Sequence, residues 1–204
     1  MRRSRQKSKT LSGTKRWSRS KQLPRGTKLK FRSTSVLLDK GVVQRVYEAR
    51  VRLALGQPPT MQQAEAANVW SRLRALGIPL HIIAQTEHIL QRRPAVFATA
   101  LLMHTRALQK GRYLRRWARR LRDISFSPED AIVLAYGSFG LDLQVQRVGV
   151  EAIVTNDVKL AANFTTRFNT IQEHFANMVS QLPEPYQELT LPIVVATAEV
   201  LAEE

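Results

Sequence analysis

Four acids in this chain stand where the local pattern changes: Asp39 after the apolar run Val36-Leu37-Leu38, Glu87 in "IPLHIIAQTEHIL", Asp130 in "SPEDAIVLAYG" and Asp157 at the end of "AIVTND". Each follows a run that reads as a strand or lies in the opening turns of a helix, so a sheet of parallel strands can bring all four to one edge. Gathering anions is costly, because neighbouring like charges raise carboxylate pKa values. A hard divalent cation relieves that cost: Mg²⁺ and Mn²⁺ favour oxygen ligands, and Mg²⁺ keeps several waters while engaging one or two carboxylates. The chemistry of such a site is hydrolysis, with an activated water as nucleophile and charge stabilisation at a phosphoryl oxygen.

Taken singly, each acid has a plainer reading. Asp130 lies three residues after Ser127 and fits an S-x-x-D capping arrangement. Glu87 with Arg92 and Arg93 fits a helix-surface ion pair. Asp157 fits a turn residue or the cap of a following helix, and Asp39 a common strand end. Glu129 is a first-turn acid favoured by the helix dipole. The four plain readings must hold together to remove the site.

The elements that position these acids follow from apolar spacing and breakers. Val36–Leu38 reads as a strand, and Val42 to about Leu55 as a helix that ends before "GQPPT". A second helix starts at Pro59 or Thr60, with Ala64, Ala67, Trp70 (or Val69), Leu73 and Leu76 spaced for one face and Gly77 as its stop. "IPLHIIA" is a strand and "QTEHILQRR" the helix after it. Pro94 opens a single long apolar helix, "AVFATALLMHTRALQK". "GRYLRRWARRLRDISF" is amphipathic, with Leu114, Trp117 and Leu121 on one side and arginine on the rest. Ser127 and Pro128 mark a further helix start. "VEAIVTND" reads as a strand, "FTTRFNTIQEHFANMVSQL" as one helix stopped by Pro183 and Pro185, and "LTLPIVVATAEVLAEE" as a strand turning into a terminal helix. This alternation predicts an α/β fold of three layers, a parallel sheet with helices on both faces. Ligands in such sheets bind beyond the carboxyl ends of the strands, where Asp39 and Asp157 fall. No Gly-rich phosphate loop is present.

Charge divides the chain of 204 residues, net +16, into two parts. Up to Arg32 there are seven arginines and six lysines and no acid, which leaves +3 for the rest. Residues 1–33 therefore read as a disordered polybasic tail, and 34–204 as the folded domain. Arg2, Arg3, Arg5, Lys15, Arg16 and Arg19 of the tail, with Arg115 and Arg119 of the arginine-rich helix, are candidate phosphate contacts. A solubility tail, or one that docks on an acidic protein, is the other reading of this segment. For the helix the other reading is a solvated face over an apolar stripe. There is no cysteine, which excludes disulfides and thiolate chemistry and suits a reducing compartment. The basic N-terminus lacks an apolar core of a secretory signal, and no apolar run reaches the roughly 18 residues that span a bilayer. The expectation is a cytoplasmic protein with no membrane partner. The four histidines (81, 88, 104 and 174) show no spacing suited to zinc or to a triad.

The order and setting of the four acids resemble the PIN-domain nucleases. In that family an apolar strand ends in Asp (here "SVLLDKG", Asp39), and a Glu follows the second strand (Glu87). An Asp then opens a helix rich in small residues (Asp130), and a later strand ends in T-x-D (Thr155 and Asp157 of "AIVTND"). The match runs from about Ser35 to Leu160. The resemblance implies an endoribonuclease in which Asp39, Glu87, Asp130 and Asp157 hold Mg²⁺ or Mn²⁺ and Thr155 orients the site by hydrogen bonding. It also implies RNA as substrate, an antitoxin or other acidic protein as partner, and homodimers. Where the family places Thr or Ser and then Asn or Ser after its first Asp, this chain has Lys40 and Gly41. Lys40 either pairs with Asp39 or points outward to substrate phosphate. If it replaces the cation, the domain is a nucleic-acid-binding module led by its tail. The helical segment between Asp157 and the last strand is long for the family.

Overall fold

Val36–Leu38 forms β1, and all of its side chains are buried, as expected of a central parallel strand covered on both faces. The computed structural model describes residues 34–202. After β1 come α1 (Lys40–Ala54), α2 (Met61–Ala75), β2 (Leu80–Ile83), α3 (Ala84–Gln91), α4 (Ala95–Met103) and β3 (Thr105–Lys110). The chain continues through α5 (Leu114–Asp123), α6 (Pro128–Phe139), β4 (Gly140–Asp142) and β5 (Arg147–Val148). It closes with β6 (Ala152–Thr155), α7 (Val158–Thr166), α8 (Phe168–Val179), β7 (Ile193–Ala196) and α9 (Thr197–Leu201).

The strands form one seven-stranded sheet in the order β5-β4-β3-β2-β1-β6-β7. β3, β2, β1, β6 and β7 are parallel, and β4 and β5 extend the edge as antiparallel strands. Alternate strand residues feed two cores. Leu37, Ile83, Leu108 and Ile153 pack with α5 to α8, whereas Val36, Leu38, Ile82 and Val154 pack with α1, α2 and α4. The result is the expected three-layer α/β arrangement, with a sheet that is mostly rather than wholly parallel.

Four local readings are corrected. The single helix expected after Pro94 ends at Met103, and "TRALQK" is β3. Only Leu108 of that strand is fully buried, so it lacks an apolar alternation, and pairing with β2 along Leu80–Ile83 overrides the helical pattern. β4 and β5 are a hairpin that no apolar run announces. The segment after β6 is two helices, broken at Arg167, whose guanidinium donates to Asn163 Oδ1 (2.7 Å) and to the Ile124 carbonyl (3.1 Å). In α2 Val69, Trp70 and Leu73 are buried as expected, but Ala66 rather than Ala64 or Ala67 completes that face, and Leu76 is exposed. Thr60 caps α2 in a reciprocal box with Gln63, and Gly77 ends it at φ 69°.

Among the described residues no helix is long and apolar enough to cross a membrane. The tail positions Arg2, Arg3, Arg5, Lys15, Arg16 and Arg19 lie outside the described residues.

Candidate active site

The chain steps from β1 outward to β2 and β3, then returns to place β6 on the other side of β1. The carboxyl ends of β1 and β6 therefore flank the switch point of the sheet, where open α/β folds leave a crevice. Asp39 leaves β1 as the N-cap of α1, and its main-chain N–H donates to the Val154 carbonyl of β6 at 2.9 Å. Thr155, the fully buried last residue of β6, donates its hydroxyl to Asp39 Oδ2 at 2.9 Å. The same hydroxyl oxygen accepts the Asp157 N–H at 3.0 Å. One threonine thus links the first acid to the turn that carries the last.

Asp157 caps α7: its Oδ1 accepts from Lys159 N at 2.8 Å and Leu160 N at 3.1 Å. Among the described residues no donor reaches Oδ2. Asp130 lies in the first turn of α6, half-buried. Ser127 caps that helix by accepting the Asp130 N–H at 3.1 Å, but the Asp130 carboxylate makes no reciprocal bond to the cap. The capping box expected of S-x-x-D is only half made, and the carboxylate is left to face its surroundings.

Burial pushes the Asp39 carboxyl above the usual carboxylate range. The Thr155 hydroxyl and the Lys40 N–H pull it down, and the negative charges of Asp157 and Asp130 push it up again. The charges of Asp130 and Asp157, carried on two other elements, thus reach Asp39. Glu87, half-buried in the first turn of α3, follows β2 at the same edge of the sheet, but is not among the charges acting on Asp39. Among the described residues it forms no ion pair with Arg92 or Arg93. Lys40 is exposed, and among the described residues it makes no ion pair with Asp39.

The donor set is hard oxygen, the type that suits Mg²⁺ or Mn²⁺. Among the described residues no group of three or more acids or histidines is arranged to hold one ion directly. A hydrated ion engaging one or two carboxylates does not require such a group. A shallow groove beside the site runs between α1 and α3, lined by Lys40, Gln44, Tyr47, Glu48, Thr86 and Arg93 among others. On α5, Arg115 and Arg119 are exposed, while Leu114, Trp117 and Leu121 are buried beneath them.

Two arrangements were missed in the sequence. The first joins Gly41, Arg45 and Asn156 at the site itself. The second lies in the core, where buried His81 of β2 meets Asp142 of β4, Nε2 to Oδ2 at 3.0 Å. Arg106 Nη1 approaches the same oxygen at 3.5 Å, and Gln144 N donates to Oδ1 at 2.9 Å. The only signal for the first was a glycine in the opening turn of a helix. The second had none, because β4 was not foreseen.

Compared with known proteins, the chain matches no family model, no curated protein and no solved structure.

Proposed function

We propose that this protein is a divalent-metal-dependent endoribonuclease of PIN type, with its site at the β1/β6 switch point. One observation carries the reading: Asp39, tied to Thr155 and pushed up by burial, feels the charges of Asp157 and Asp130, which arrive from separate elements. Such a gathering destabilises the empty site and suits a cation. Asp39, Asp130 and Asp157, with Glu87 at the same edge, would hold Mg²⁺ or Mn²⁺. When bound, the ion supplies Lewis-acid stabilisation of a phosphodiester and lowers the pKa of a water. Thr155 keeps Asp39 oriented and opposes the upward push on its carboxyl, and Asp157 retains one oxygen for α7 while presenting the other. Lys40, exposed beside Asp39, and Arg115 and Arg119 would contact the RNA backbone, with the tail adding sequence-blind affinity. The same arginine face would serve an acidic antitoxin.

A binding-only reading draws on the missing three-ligand group among the described residues. The deciding experiment incubates purified protein with single-stranded RNA and Mg²⁺ or Mn²⁺. Cleavage that stops with chelator and in Asp157→Asn is the expected result, and cleavage that survives both would remove the proposal. RNA binding with no cleavage under any metal would favour the binding module.

A further inference from the structure

The turn Thr155-Asn156-Asp157 joins β6 to α7, and its middle side chain is turned onto α1. In the amide orientation that satisfies both groups, Asn156 Oδ1 accepts from Arg45 Nε at 2.7 Å and Nη1 at 2.8 Å. Gly41 stands one helical turn before Arg45, on the same face of α1. A Cβ at position 41 would come within 2.4 Å of the end of the Asn156 amide. α1 is thus bare at 41 and supplies a forked donor at 45, both directed at one side chain. Among the described residues Arg45 forms no ion pair, although acids gather at this end of the sheet. Its partner is a neutral amide in the turn between the two residues, Thr155 and Asp157, that shape the site.

We propose that Arg45 is a positioning residue of the acid site, holding the Thr155–Asp157 turn against the start of α1 through Asn156, with Gly41 giving the room. This rests on the reading of the acids as a functional site. Asp39 rides on α1 and Asp157 on the turn, and their like charges push the two elements apart. A bond between α1 and the turn opposes that repulsion while leaving every carboxylate oxygen free of the guanidinium. The task needs a planar fork that bonds one acceptor through two nitrogens, which a lysine ammonium does not reproduce. It also accounts for Gly41, since a Cβ there would press on the end of the Asn156 amide and force it to shift.

The test measures amide hydrogen exchange in the metal-free full chain for Arg45→Lys, Asn156→Ala and the double variant. The reporters are Asp157 N–H, bonded to Thr155 Oγ1, and Lys159 and Leu160 N–H, bonded to Asp157 Oδ1. The expected result is exchange at least about tenfold faster at these amides in each single variant, since Arg45→Lys gives up at least one of the two guanidinium bonds to Asn156 and Asn156→Ala gives up both. The double variant is expected to add nothing, and the amides of β1 to remain as slow as in wild type. Gly41→Ala should act the same way, and should add nothing to Asn156→Ala. Wild-type exchange in Arg45→Lys, or additive effects in the double variant, would overturn the proposal. Mn²⁺ affinity is read in parallel and should fall about tenfold in Asn156→Ala. If wild-type protein binds no Mn²⁺ and cleaves no RNA, the catalytic reading fails, while the exchange rates still decide whether this contact holds the turn.

Discussion

Replacing Thr155 with valine removes the hydroxyl that joins the two acid-bearing segments while keeping the shape of a β-branched side chain in a fully buried position. Two hydrogen bonds go with it, one donated to Asp39 Oδ2 at 2.9 Å and one accepted from Asp157 N at 3.0 Å. The bond to a charged group is worth about 1.5–3 kcal/mol, and the Asp157 N–H sits in an exposed residue that water can reach. A loss of about 2 kcal/mol at neutral pH follows, or about 4–8 °C in Tm for a domain of this size. The sign with pH is fixed by Asp39. Its carboxyl lies above the ordinary range in the fold, so ionisation costs stability at neutral pH, and the cost is relieved as pH falls through the folded value toward the unfolded one. The Thr155 hydroxyl opposes the rise, so Thr155→Val pushes the carboxyl higher still and moves that relief to higher pH. Urea unfolding between neutral and acid pH should show the gap between wild type and variant narrowing once Asp39 is protonated. The ¹³Cγ titration of Asp39 should shift upward. A gap independent of pH, or an Asp39 midpoint that stays put or falls, would refute the assignment of this hydroxyl to the ionised carboxylate.

Asp142→Ala leaves buried His81 Nε2 without its partner, on a ring whose Nδ1 has none among the described residues, at a cost of about 3 kcal/mol, or 6–12 °C in thermal melts. Burial raises the Asp142 carboxyl, but the hydrogen bond from His81, the Gln144 N–H and Arg106 outweigh it and hold it below the usual range. The deficit should therefore stay full above the ordinary carboxylate value and shrink only in stronger acid; a deficit that shrinks between neutral pH and that value contradicts the pairing. Arg115→Gln combined with Arg119→Gln should lower the slope of log affinity against log salt for single-stranded RNA by about 1.4, at about 0.7 per phosphate contact. An unchanged slope by fluorescence anisotropy would take α5 out of the RNA surface.

Much of the frame was legible because its signals are local. Val36-Leu37-Leu38 before Asp39 and Ala152-Ile153-Val154 before Thr155 read as buried strands because each is short, wholly apolar and followed at once by polar residues. Ser127-Pro128 marked the start of α6 for reasons of capping chemistry alone. What escaped depended on partners distant in the chain. Thr105–Lys110 is a strand only because β2 supplies its hydrogen bonds, and His81 is one of four scattered histidines in the sequence until β4 brings Asp142 against it. Gly41 was read only as a departure from a motif. Its close neighbour Asn156 comes from the turn after β6, so nothing in the local pattern named it.

The proposal of a shared cation site is tested most directly by titrating Mn²⁺ into the wild-type protein and into Asp39→Asn, Asp130→Asn and Asp157→Asn, followed by the electron spin resonance of free Mn²⁺. Saturable binding in wild type that weakens at least tenfold in each of the three variants is the predicted result. Equal affinity in all four proteins would contradict it.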